Sequence, residues 1–79
     1  MMDIAFQNVG RNKRTWTATL ALHRGDTRDT LEMAVIREVK AKSALKSQDV
    51  DAIMVDNDGG NILAGGRPVG QWRIVRAQV

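Results

Sequence analysis

An α+β fold, a mostly antiparallel sheet with one amphipathic helix packed on one face, is what the residue pattern predicts, and three features carry that prediction. Asp29 to Ala44 fits a helical period and almost nothing else. Both flanks of that stretch alternate as strands do. At 79 residues the chain has room for one domain, residues 1–79, with a core small enough that its stability depends on good packing or on a partner.

In chain order, Met2, Ile4 and Phe6 alternate with Asp3, Ala5 and Gln7 as a first strand, and Asn8 to Lys13 collects the Asn, Gly and charge of a hairpin loop. Thr15 to His23 is the second strand. Trp16, Ala18, Leu20 and Leu22 lie on one face, expected to meet the helix, and Thr15, Thr17, Thr19, Ala21 and His23 on the other. A half-polar outer face suits an antiparallel sheet, because only one of its sides must be covered. Arg24, Gly25 and Asp26 turn the chain into the helix.

Within the helix, Leu31, Val35, Ile36 and Val39 share one arc, which Ser43 continues, and Arg37, Lys40 and Ala41 lie opposite. Asp29 followed by Glu32 reads as a capping box, with Asp26 as a rival start one turn earlier. Lys40, Lys42 and Lys46 crowd the far end, as the helix dipole favours, and the helix is expected to end between Lys42 and Lys46. After the polar Ser47, Gln48 and Asp49 comes a third strand, Val50 to Val55. Asp56 to Asn61 is the strongest turn signal, Ile62 to Ala64 begins the return strand, and Gly65, Gly66, Arg67 and Pro68 break it. Val69 to Val79 is the last strand, with Trp72 and Ile74 alternating with Arg73 and Val75. The order is ββαβββ, an order common to many unrelated small domains, which licenses no activity.

The chemistry is narrowed chiefly by what the chain lacks. There is no Cys and one His, so thiolate ligands, disulfides and cysteine nucleophiles are excluded, and no partner set for a catalytic triad can be named. No catalytic residue, metal ligand or cofactor is expected, and the protein reads as a non-enzyme. Asp56, Asp58 and Asn61 resemble the start of a calcium loop, but Asn61 and Arg67 stand where that loop needs Gly and an acid. Gly59, Gly60, Gly65, Gly66 and Gly70 are read as turns and a bulge, since no Gly-Lys-Ser or Gly-Lys-Thr follows them. Arg24-Gly25-Asp26 matches an adhesion tripeptide but sits where a turn is needed anyway. No run approaches the ~20 apolar residues of a membrane span, no leader segment is visible, and the cysteine-free composition suits the cytoplasm.

Positive charge remains. Twelve Lys and Arg exceed nine Asp and Glu by three, and Arg11, Lys13 and Arg14 concentrate three cations at the first hairpin, a device suited to gripping a phosphate backbone. Arg73 projects from the face opposite Trp72. Phe6, Trp16 and Trp72, the only aromatics, are all expected in the core, so bases have no stacking platform. The function expected is that of a small binding module with nucleic-acid backbone as the favoured partner, through Arg11, Lys13, Arg14 and Arg73. The alternative is a protein-interaction or homodimerising domain using an exposed sheet edge or the outward face of Val75, Val79 and Ala21.

Overall fold

A computed structural model describes residues 1–23, 25–42 and 49–77, the side chains of residues 76 and 77 excepted. The readings that fall on Arg24, Ser43, Lys46, Ser47, Gln48 and Val79 lie outside the described residues. The elements are β1 (Met2–Val9), β2 (Arg14–Leu20), α1 (Arg28–Ala41), β3 (Val50–Asp56), β4 (Gly59–Ala64) and β5 (Arg67–Ala77). All five strands form one antiparallel sheet in the order β2-β1-β5-β4-β3. The fold is therefore α+β in the order ββαβββ, with the longest strand, β5, at the centre and β2 and β3 at the two edges.

Cross-strand register explains the core. Phe6 stands opposite both Trp16 and Trp72, and directly opposed residues share a face, so all three aromatics lie on the same side. Phe6 and Trp16 stack with ring centroids 4.7 Å apart and planes 7° from parallel. Leu31, Val35 and Val39 of α1 are buried in the same cluster as Met2, Ile4, Phe6, Ala52, Ile62 and Trp72, and Ile36 packs against it half-buried. Three helical residues spaced by four make one narrow stripe, enough to cover one face of a sheet this size. Both indole N–H groups are buried without a hydrogen-bond partner among the described residues, an arrangement that costs roughly 1–3 kcal/mol for each unsatisfied group.

Several local features depart from the pattern read in the sequence. The N-cap is Thr27, whose Oγ1 accepts from Thr30 N at 3.2 Å, and not Asp29 or Asp26. Asp29 instead occupies the first helical turn, where a carboxylate suits the positive end of the helix dipole. The helix ends at Ala41, with Lys42 as C-cap. Regular pairing of β2 stops at Leu20, and Leu22 reaches the core from the connection that follows.

Gly59 and Gly60 belong to β4, leaving Asn57 and Asp58 as the tip of the β3–β4 hairpin. They pair with β3 and β5, and glycine is needed there because the neighbours come too close for a side chain: a Cβ at Gly59 would strike the carbonyl oxygen of Trp72, and one at Gly60 that of Ile53. Gly65 and Gly66, at φ +59° and +82°, do form a turn, since two successive positive φ values are what a tight hairpin requires. β5 starts at Arg67, so Pro68 lies inside the strand, next to a register shift that leaves Val69 without an opposite residue on β4. Similar shifts leave Val55 and Val75 as extra residues, 64% and 63% exposed. Bulges of this kind explain why two Val side chains face water.

Candidate nucleic-acid interface

The β1–β2 turn is fixed at several points. Val9 is fully buried beside it, Gly10 N donates to Val69 O at 2.9 Å, and Lys13 N donates to Gly10 O at 3.1 Å. Asn8, Gly10 and Lys13 all adopt positive φ, and the register shift between Phe6 and Val9 places one extra residue in β1. The sequence suggests a loose loop with no apolar anchor. The turn is instead tethered to the core by Val9 and to β5 by a backbone bond. Arg11 and Lys13 are exposed on it, and among the described residues neither side chain has a hydrogen-bond or ion-pair partner.

Arg14 behaves differently from its two neighbours. Its Nη1 donates to Lys42 O at 2.6 Å and its guanidinium lies 5.8 Å from the centroid of the Trp16 ring. The first contact satisfies a carbonyl that the helix C-terminus leaves without an intrahelical donor. The second is a cation–π approach worth about 0.5–1 kcal/mol at an exposed site. Arg14 thus holds the end of α1 against the start of β2, and that contact carries Lys40 and Lys42, both exposed, to the same corner as Arg11 and Lys13.

Arg67 comes near by a separate route, because it opens β5 two residues before Val69, whose carbonyl receives Gly10. The corner therefore presents Arg11, Lys13, Arg14, Lys40 and Lys42, with Arg67 beside it. Opposed acids are Glu38, half-buried on α1, and Asp49 and Asp51 at the far edge of the sheet. Asp3, Asp56 and Asp58 lie toward the other end of the strands, where Arg76 stands opposite Asp3.

Arg73 does not join this corner. It sits in the middle of the uncovered sheet face, opposite Ala5 on one side and Gly59 on the other, while a row of Gln7, Gln71, Asn61 and Ile53 crosses the sheet beside it. That face carries hydrogen-bonding groups and no aromatic ring. It can contact an extended polar ligand but cannot stack bases.

A groove of about 310 Å³ is lined by Asp29, Glu32, Met33, Ile36 and Asp51. Glu32 Oε2 accepts from Met54 N at 2.7 Å and Asp51 Oδ1 from Ala52 N at 2.9 Å, so two of its three carboxylates already have backbone donors. No cluster of metal-ligating side chains occurs among the described residues. His23 is exposed at the turn before α1, where its N–H donates to Asp26 Oδ2 and its carbonyl receives Asp26 N. Asp56 Oδ1 likewise accepts from Asp58 N within the β3–β4 turn. Among the described residues, no helix is long and apolar enough to cross a membrane.

The contribution of Arg67, Lys40 and Lys42 escapes sequence reasoning, because nothing local signals that three chain segments meet at one corner. Comparison with protein-family models, with curated proteins and with solved structures finds no match to this chain.

Proposed function

We propose that this domain is a non-enzymatic binding module that holds the phosphate backbone of a nucleic acid against its basic corner. The observation that supports the reading is the gathering of Arg11, Lys13, Lys42 and Arg67 around a tethered turn. Arg14 and Lys40 partly serve the helix C-terminus there. Like charges brought together repel one another, and a polyanion relieves that repulsion while releasing counterions. Arg73 on the open face extends contact along the strand once the backbone is held. The absence of cysteine fits a reducing compartment such as the cytoplasm.

With about four phosphates neutralised, log K should fall against log salt with a slope between −3 and −4 on duplex DNA. Replacing Arg11 and Lys13 together by Ala should reduce the magnitude of that slope by up to about two, with little dependence on base sequence because phosphates carry none. Fluorescence anisotropy titrations at low salt, on duplex DNA, single strands and RNA, test this. Absence of binding to all three at tens of micromolar would remove the proposal.

A further inference from the structure

We infer that a second copy of this chain pairs with the free edge of β2, antiparallel to it and two-fold about Thr17. The two edges of the sheet are finished differently. On β5, the N–H of Ile74 points towards β4, where it meets Asp58 O, and the carbonyl of Val69 points towards β1, where it meets Gly10 N. Carried through the strand registers, this alternation directs the backbone groups of Ala52 and Met54 outward from β3, and those of Thr15, Thr17 and Thr19 outward from β2.

On β3 the outward N–H groups of Ala52 and Met54 are capped by carboxylates, those of Asp51 and Glu32 respectively, which closes the middle of that edge to another strand. On β2 none of the three outward N–H groups has a partner among the described residues. β2 also lacks the devices that normally blunt an edge: it has no Pro, no internal bulge and no charge among its outward residues.

The fit of a second copy follows from the letters of β2. Turning Arg14–Leu20 about Thr17 sets Thr15 against Thr19 of the second copy, Thr17 against itself and Trp16 against Ala18. Thr pairs are favourable cross-strand neighbours, and a large ring meets a small side chain. Trp16, Ala18 and Leu20 are only half-buried in the single chain, and the added strand covers their open side. The same operation separates the two Arg14 residues by six positions, about 20 Å. It also lays the Arg14 end of each copy alongside the Leu20 end of the other, whereas parallel pairing would set the two Arg14 residues side by side. Three narrow pairs supply about six backbone hydrogen bonds. The inference rests on edge geometry and is independent of the nucleic-acid reading.

Sedimentation equilibrium of the full chain up to millimolar concentration tests it. The parent should sediment as a species of twice the 8.7 kDa chain mass, and Thr17→Lys, which places two ammonium groups face to face on an exposed position, should be a folded monomer. Because the chain has no cysteine, Thr17→Cys introduces its only thiol. Mild oxidation should give a covalent dimer, since a narrow antiparallel pair spaces Cα atoms about 5.5 Å apart, within disulfide range. The same oxidation of Ile53→Cys, on the capped edge, should give monomer. A monomeric parent throughout that range overturns the inference, as does a Thr17→Lys protein that still dimerises or an Ile53→Cys protein that cross-links as readily as Thr17→Cys.

Discussion

Val39 tests how the helix is seated. It is fully buried on the stripe of Leu31 and Val35, in the last turn of the helix. Val39→Ala removes two methyl groups, about 1.6 kcal/mol of transfer free energy, and leaves a cavity whose penalty brings the total to roughly 2–3 kcal/mol. A chain of this length has a total stability of about 4–12 kcal/mol, so the variant should fold. Its unfolding entropy converts each kcal/mol into about 6 °C, which places the fall in Tm between about 12 and 18 °C. Val39→Asp puts an unpaired charge into the same site at a cost of several kcal/mol and should not fold. Met33→Asp, on the same helix but 52% exposed, should cost less than about 1 kcal/mol. Far-ultraviolet circular dichroism melts of the three variants read the series directly. If Val39→Ala melts within about 3 °C of the parent, or Met33→Asp loses as much as Val39→Asp, the stripe is assigned to the wrong side of the helix.

Gly60→Ala should destabilise the domain more than Gly65→Ala. The first drives a methyl into the backbone of Ile53, whereas the second meets open space and carries only the left-handed conformational penalty of about 1–2 kcal/mol; melts in the reverse order would contradict the strand position of Gly60. Thermal melts with and without a chelator should superimpose, since no thiolate and only one imidazole exist to hold a metal; a drop of several degrees on chelation would point to a carboxylate site around Asp56 and Asp58.

The elements themselves are visible in the sequence because each is written by a repeated choice: Met2, Ile4 and Phe6 with period two, and Leu31, Val35 and Val39 with period near 3.6. Single residues that act through geometry are not visible in the same way. Thr27 is hidden as the N-cap because Asp26 and Asp29, equally suitable by type, flank it. Gly59 and Gly60 have no side chain to show a pattern, and only the closeness of Trp72 and Ile53 reveals why glycine is needed there. Val55, Val69 and Val75 each break an alternation by one residue. The site shows the same division. Arg11, Lys13 and Arg14 are adjacent in the chain and can be found there. Lys42 and Arg67 reach them only through a hydrogen bond spanning 28 positions and a strand pairing across the sheet. Arg73, grouped with the hairpin by charge alone, belongs to a different surface.

Two long-range hydrogen bonds also explain why the helix lies where it does. An edge strand is paired on one side only, and β2 and β3 are separated by three strands. α1 meets β3 near its beginning, where Glu32 accepts from Met54 N, and β2 near its end, where Lys42 O receives Arg14. Each contact joins a charged side chain to a backbone group, the stronger kind of hydrogen bond. The helix thereby spans the sheet diagonally and ties both edges to the core that its apolar stripe fills. At β3 the tie also occupies an outward N–H and closes the middle of that edge. At β2 it falls at the end of the strand, leaves the backbone of Thr15, Thr17 and Thr19 untouched, and positions the cations of the helix terminus beside the β1–β2 turn. The open edge and the basic corner are therefore consequences of one packing arrangement.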